Sequence, residues 1–154
     1  MPRQMRRAQY QMDDGDAKRV LAEGEYGFLG TVGEDGVPYV VPVNYCYHNG
    51  DIVFHTAREG HKIENIRHNP QVCFAVCANV QLVPERFATN YESVIVFGRA
   101  RIVEDVGTKR ELLSALVRRL TPGRAFPCPD GEVDATGVVC ITPEHITGKR
   151  RGGS

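Results

Sequence analysis

Runs of apolar and β-branched residues, broken at short intervals by turn residues, form the main pattern along this chain. Six such runs predict β-strands, and they cover residues 26–32, 37–47, 52–56, 71–80, 93–103 and 138–141. Asp35-Gly36 and Asn49-Gly50 are typical of tight turns between neighbouring antiparallel strands. Pro42 interrupts the second run, and because proline cannot donate to a β-ladder, it predicts an edge strand or a bulge there.

Apolar residues at helical spacing predict helices over residues 60–68 and 109–120. A short helix is expected before the first strand, with Asp13, Asp14 or Asp16 as N-cap and Gly24 at its end. Polar stretches predict connecting loops at 84–90 and from 121 to about 134. Because strands outnumber helices and tight turns join most of them, the pattern favours an antiparallel barrel with flanking helices over a doubly wound sheet.

The composition fits one domain spanning residues 1–154. Lys plus Arg and Asp plus Glu number 19 each, so no overall charge favours nucleic acid or a membrane as partner. Basic residues cluster at the two ends, and residues 1–12 and 149–154 are expected to be flexible tails. No apolar run is long enough to span a membrane and no signal-peptide pattern follows the first residue, so a cytoplasmic protein is expected.

Several classes of catalytic and metal site lack their usual motifs. The sequence contains no GxGxxG, GxxxxGK[ST] or GxSxG, which leaves dinucleotide, P-loop and hydrolase chemistry without support. Five cysteines with no CxxC pair, and histidines without HxxxH spacing, predict no metal site. Cys128 lies between two prolines and is expected to be the most exposed cysteine. The other four lie in apolar runs and are expected in the core: Cys46, Cys73, Cys77 and Cys140.

The end of the third predicted strand and the helix start after it carry the most specific chemistry. The sequences are Phe54-His55-Thr56-Ala57 and Gly60-His61-Lys62. A Thr hydroxyl, basic side chains and the dipole of a helix N-terminus are groups that together bind phosphate. The alternative is structural, with a histidine held by backbone groups and a threonine that starts a turn. Spacing alone favours neither interpretation.

Several segments, in order along nearly the whole chain, resemble motifs of one known superfamily. They are YGFLGTVGEDG at 26–36, PYVVPVNY at 38–45, FHTA at 54–57, GHKI at 60–63, NP at 69–70, YESVIVFG at 91–98 and ITGK at 146–149. The chain is similar to the FMN-binding split-barrel superfamily, which includes the pyridoxamine 5′-phosphate oxidases and flavin reductases. Within it, the chain is most similar to the 5-nitroimidazole-resistance-type proteins.

This resemblance implies a mainly β fold, an antiparallel split β-barrel, that forms a homodimer with FMN at the subunit interface. It implies a strand facing the isoalloxazine ring, mostly through backbone groups: Val40, Val41, Pro42, Val43, Asn44 and Tyr45. His55 and Thr56 match the strand end that approaches the flavin, and His61 and Lys62 match the basic pair at its phosphate. Ser93 matches a polar position on a later strand.

The chain departs from the pyridoxamine phosphate oxidases at positions that matter. Those enzymes carry Arg at the positions of Val40 and His61 and Lys near Tyr45, and this sequence has none of the three. It also has no Trp and no C-terminal Arg-x-His substrate signature. Vitamin B6 oxidation is therefore not expected.

The leading hypothesis is an FMN-dependent oxidoreductase that reduces nitroimidazole-like or other small planar electrophiles. The flavin would carry the chemistry, and His55 is the predicted catalytic residue, as hydrogen-bond donor or proton source. The alternative is a non-catalytic flavin- or haem-binding protein that acts as a store or sensor. A deazaflavin in place of FMN is a third option.

Overall fold

Seven antiparallel strands form one curled sheet in the computed structural model, which describes residues 2–126 and 128–152. The strands are β1 (Tyr26–Val32), β2 (Pro38–Asn44), β3 (Cys46–His48), β4 (Asp51–Ala57), β5 (Gln71–Val83), β6 (Ala88–Ile102) and β7 (Thr136–Arg151). Their order across the sheet is β2-β1-β5-β6-β7-β4-β3. β2 also approaches β4 across the open side. The sheet is therefore a half-closed barrel, and the predicted mainly β split-barrel fold is confirmed.

Helices flank this sheet at several points. Within the described residues they are α1 (Asp14–Glu23), α2 (His61–His68), α3 (Val106–Leu120) and α4 (Asp130–Ala135), with 3-10 turns at Ala8–Tyr10 and Pro84–Arg86. α1 begins as predicted, because the Asp13 carboxylate accepts a hydrogen bond from the Asp16 amide at 2.8 Å. α4 lies where the sequence predicted only loop. No helix of the described residues is long and apolar enough to cross a bilayer.

Two separate cores lie on the two faces of β4. Alternate residues of a strand point to opposite faces, so Ile52 and Phe54 enter the barrel interior while Val53 faces α3. The barrel core also contains Leu21, Leu29, Phe74, Val96 and Ile141. The second core contains Leu112, Leu113, Leu116, Val138 and Cys140.

The expected strand over 37–47 is two strands, because the chain crosses at Tyr45 from one edge of the sheet to the other. β2 pairs with β1, whereas β3 pairs with β4. Tyr45 is fully buried at this crossing, and its hydroxyl donates to the Leu21 carbonyl at 2.6 Å. Its ring meets Phe74 edge-on, with centroids 4.9 Å apart. The edge position predicted from Pro42 is confirmed, since β2 is the outermost strand on its side.

β7 is much longer than the predicted strand over 138–141, and it pairs with both β4 and β6. Pro143 lies at an irregularity between Phe97 and Gly98 of β6, where the register shifts. A bulge of this kind accommodates a residue that cannot donate. The strand therefore continues past the proline to Arg151.

The expected flexible tails are wrong for the residues nearest the domain. Lys149, Arg150 and Arg151 belong to β7 and pair with β6. Gln11 forms a bridge with Lys149, and Met12 is buried. Residues 153 and 154, and the first residue, lie outside the described part of the chain.

β5 and β6 form a hairpin that extends beyond their neighbours. β7 ends opposite Tyr91, and β5 and β6 remain paired as far as Val83 and Ala88. The predicted loop over 84–90 is therefore wrong for 88–90, which are strand. Cross-strand pairing between distant residues extends these strands past the point where the local apolar pattern stops.

The burial of the cysteines agrees only in part with the prediction. Cys46 and Cys140 are buried, and Cys73 is half-buried. Cys77 is exposed, so its predicted core position is wrong, because the odd-numbered residues of this part of β5 face outward. Cys128 is half-buried and is therefore not the most exposed cysteine.

Candidate functional site

α2 presents its N-terminus at the surface, and three contacts fix its direction. Ile63 and Ile66 are buried in the barrel core. The Asn65 side chain donates to the Thr31 hydroxyl of β1 at 3.0 Å. Gly33 makes this approach possible, because a Cβ there would lie 2.2 Å from Oδ1 of Asn65.

No side chain caps this N-terminus. The N-cap is Gly60, whose φ of 138° is a conformation that favours glycine. Amides in the first turn of an uncapped helix are available to an anion. Lys62 lies in the same turn, is half-buried, and forms no ion pair with any residue in the ranges 2–126 and 128–152.

β2 and α2 meet through two aromatic rings. Tyr39 stacks on His61 with centroids 3.9 Å apart and planes 29° apart. A cleft of about 450 Å³ on another side of His61 is lined by Glu34, Asp35 and Glu64. These carboxylates would repel a phosphate, so the side of the helix start that carries Lys62, and not this cleft, is the candidate site for an anion.

β2 leaves part of its backbone free at the edge of the sheet. Pro38 and Pro42 lie opposite Val32 and Phe28 of β1, and neither proline can donate to that strand. Their pairs are therefore of the non-hydrogen-bonded kind, and the alternation puts the backbone groups of Val40, two residues from each proline, on the outer edge.

An apolar groove of about 380 Å³ lies on the outer face of the sheet and reaches from β2 across β1 and β5 to β6. It is lined by Gly30, Tyr39, Val40, Cys73 and Phe97, among others. Its volume is within the range of small-molecule sites. The groove and the free backbone of β2 together fit a flat apolar ring that also has hydrogen-bonding edges.

The remaining residues predicted on β2 take different positions. Pro42 and Asn44 are exposed, and Val41 and Val43 pack against the barrel core. Tyr45 is a core residue whose amide donates to the Glu25 carbonyl at 3.3 Å. Of the predicted set, Val40 is the residue that lines the groove.

His55 and Thr56 point to opposite faces of β4. Thr56 follows Phe54 on the barrel side and is half-buried, five residues before the first residue of α2. His55 is on the face of Val53 and lies at the mouth of a second, apolar pocket against α3. The structure therefore places Thr56 and His55 on different faces of β4, so the two side chains do not share one site within a chain.

Ser93 is distant from these residues within one chain. It pairs with Lys149 of β7, whereas His55 pairs with Val138, so about 11 residues of β7, roughly 35 Å, separate the two positions. Ser93 lies on the outer face of the sheet, in the same direction as Cys77 of β5. This outer face also carries exposed apolar side chains: Tyr26, Phe28, Val40, Ile95 and Phe97.

The sequence did not reveal a buried charge cluster at the start of β6. Glu92 is 7% exposed and accepts hydrogen bonds from Arg19 of α1 at 2.7 Å and Arg150 of β7 at 2.8 Å. Asn79 also donates to it. Burial alone would raise the pKa of Glu92, but the hydrogen bonds from Arg150, Asn79 and Arg19 lower it to about 2. The partners are far apart in sequence, so no local pattern could have identified them.

Tyr39 was also not identified as a site residue from the sequence, although it directly precedes Val40. An aromatic residue next to the predicted ring-facing strand was the available signal. As for metals, no three His, Cys, Asp or Glu side chains in the described ranges converge as a ligand set.

Comparison with known proteins gives similarity over most of the chain. An uncharacterized protein of Rhizobium meliloti strain 1021 is 27% identical over 149 residues, which cover 90% of this chain and 92% of that one. A candidate 5-nitroimidazole antibiotic resistance protein from Bacteroides thetaiotaomicron is 28% identical, with a TM-score of 0.81 over 90% of this chain and 85% of that one. The flavocytochrome Anf3 of Azotobacter vinelandii is 25% identical, with a TM-score of 0.85 over 97% of this chain and 73% of that one.

The sequence profile of the pyridoxamine 5′-phosphate oxidase family matches residues 13–150, which includes the whole of α2 and all strand residues of the barrel except Arg151 at the end of β7. The chain belongs to the pyridoxamine 5′-phosphate oxidase family.

Proposed function

We propose that this protein is an FMN-dependent oxidoreductase that reduces small planar electrophiles such as nitroimidazoles. The observation that carries the proposal is the position of an uncapped α2 N-terminus, with Lys62 in its first turn, beside the free edge of β2. Similarity to a candidate nitroimidazole resistance protein and to a flavocytochrome supports the same class. A flavin bound here would supply the electron transfer.

The groove beside β2 is the proposed site of the isoalloxazine ring. Val40 offers backbone donor and acceptor groups at the edge, and Tyr39 and Phe97 supply apolar walls. Because the groove is open to one side, these residues alone would leave much of a bound ring in water.

The phosphate is proposed to bind at the start of α2. Lys62 supplies a cation without an internal partner, and the first-turn amides supply donors. Thr56 supplies a hydroxyl that makes no hydrogen bond to any side chain or backbone group in the described residues. The stacked ring of Tyr39 holds His61, and thereby the helix start, against β2.

A second copy of the chain is proposed to close the groove. The outer face of the sheet exposes Phe28, Ile95 and Phe97, whose relative accessibilities are 42%, 43% and 39%. A contiguous apolar face of this kind is typical of a protein interface. Ser93 lies on the same face, four residues before Phe97 along β6, so such an interface would also include Ser93 or lie close to it.

The test begins with the absorption spectrum of the purified protein and titration with FMN and riboflavin. FMN should bind more tightly than riboflavin, and the reduced, FMN-loaded protein should be reoxidised by a 5-nitroimidazole under anaerobic conditions. A protein that binds neither flavin would contradict the proposal. If FMN binds tightly but the reduced protein is not reoxidised by the nitroimidazole, FMN remains the cofactor and the proposed reductase activity is wrong. A deazaflavin bound instead of FMN would be recognised by its different absorption bands.

A non-catalytic haem- or flavin-binding role is the second candidate. His55 is an exposed imidazole in an apolar setting, which is the kind of group that coordinates haem iron. The similarity to a flavocytochrome points in the same direction. A Soret band that shifts in the His55→Ala variant would favour this role.

A further inference from the structure

The apolar pocket between α3 and β4 lies on the face of β4 that carries Val53 and His55, opposite the face that carries Thr56. Leu113, Leu116, Val117 and Leu120 of α3 form one wall, and Phe126 closes another. The pocket has a volume of about 290 Å³. An apolar cavity of about half this volume admits benzene.

The polar groups of the lining are engaged inside the protein, with one exception. The Thr121 hydroxyl donates to the Val117 carbonyl at 2.8 Å, and the Thr136 hydroxyl donates to the Glu132 carbonyl at 2.9 Å. The Cys128 thiol donates to the Glu132 carboxylate at 3.2 Å. The imidazole of His55 is the polar side chain of this lining that makes no hydrogen bond to any described residue, and because His55 is exposed it lies at the mouth.

We infer that this pocket binds a neutral, single-ring aromatic molecule that carries one hydrogen-bonding substituent. The apolar walls accept the ring, and His55 meets the substituent at the mouth. Apolar walls with a single convergent polar group are the usual composition of a small-molecule site. No Asp, Glu, Lys or Arg lines the pocket, so the site selects against charged ligands.

The experiment uses phenol and toluene as probes with the full-length protein, and it follows the methyl resonances of Leu113, Leu116, Val117 and Leu120 by NMR. Both probes should give saturable shifts confined to these methyl groups. Val117 is half-buried on the pocket wall, so Val117→Phe should fill the pocket and lower the affinity for both probes by about tenfold or more. Arg118→Phe is the matched control, since Arg118 is the next residue and is exposed away from the pocket lining.

A second variant tests the role of His55 without filling the pocket. His55→Leu should weaken phenol binding by about 2- to 12-fold, the effect of one lost hydrogen bond, and leave toluene binding unchanged. Absence of saturable shifts, or equal binding in Val117→Phe and the parent, would overturn the inference. If Arg118→Phe lowers the affinity for both probes as much as Val117→Phe does, the inference is also overturned, since the effect would then come from a general change of α3. None of these readouts requires a bound flavin, so they stay separate from the test of the proposed function.

Discussion

The ring of Tyr39 stacks on the imidazole of His61, with centroids 3.9 Å apart. Tyr39 belongs to the edge strand β2, and His61 is the first residue of α2. The pair is therefore a direct contact between the two elements that the proposed flavin site needs, the strand edge for the ring and the helix start for the phosphate. By the resemblance of the sequence to this family, His61 is at a position where the pyridoxamine phosphate oxidases carry an arginine, so an aromatic contact replaces a cation there.

Removal of this stacking should loosen the flavin site. Tyr39→Ala is expected to weaken FMN binding by about 2- to 12-fold, because aromatic pairs contribute about 0.5–1.5 kcal/mol beyond their buried area. Tyr39→Phe keeps the ring and should bind FMN as the parent does. Quenching of FMN fluorescence on titration measures the affinity of both variants. Equal affinity in the parent and Tyr39→Ala would show that the pair does not organise the site.

Lys62 should recognise the phosphate and not the ring. Lys62→Ala is expected to weaken FMN binding by about 10- to 150-fold, the range for a lost hydrogen bond to a charged group, with riboflavin affinity unchanged. Lys62→Arg should retain most of the preference for FMN. Isothermal titration with both ligands gives the ratio of the two affinities. An equal loss of affinity for FMN and riboflavin would mean that the phosphate binds elsewhere.

Local patterns predicted the elements around the site, because caps and turns depend on neighbouring residues. The Asp13 cap, the Asn49-Gly50 turn and the α2 start are of this kind. The opposite directions of His55 and Thr56 also follow from strand alternation, and the sequence contained that signal. The crossing at Tyr45 was not predictable, because it depends on a hydroxyl acceptor in α1 and on a ring in β5.

Contacts between distant residues account for the rest of what was missed. Glu92 binds Arg19 and Arg150, which lie 73 and 58 residues away. The length of β7 likewise depends on β6, since a bulge in β7, between its pairs with Phe97 and Gly98 of β6, lets the strand pass Pro143. Neither relationship leaves a periodic or short-range pattern in the sequence.

The Glu92 cluster should make stability depend on pH in a defined window. The pKa of Glu92 is lowered from 4.5 to about 2, and a lowered folded-state pKa contributes stability above the unfolded value that is lost as pH falls through the folded one. The contribution of roughly 3 kcal/mol should be complete above about pH 5 and disappear toward pH 2. Urea unfolding across this range measures it.

The Glu92→Gln variant distinguishes the contribution of Glu92 to the pH dependence of stability from that of the other carboxylates. The variant should be less stable than the parent at pH 7, and the difference should shrink as pH falls from 4.5 to 2. Glu85→Gln is the matched control, since Glu85 is exposed and makes no ion pair in the described part of the chain. A constant difference at all pH values would mean that packing, not charge, holds the cluster.

The outer face of the sheet should determine both assembly and flavin binding. Phe28 and Ile95 lie on neighbouring positions of this face, since each pairs with Ala75 of β5, which runs between their strands. A carboxylate introduced at either place would be buried without a partner in a dimer, so Phe28→Glu or Ile95→Glu should give a monomer that has lost most FMN affinity. Val37→Glu is the control, because Val37 is 58% exposed in the turn before β2, outside the sheet face. Sedimentation equilibrium gives the mass and fluorescence titration gives the affinity. A dimer that persists in both face variants would exclude this surface as the interface, and a monomer with intact FMN binding would show that one chain forms the site alone.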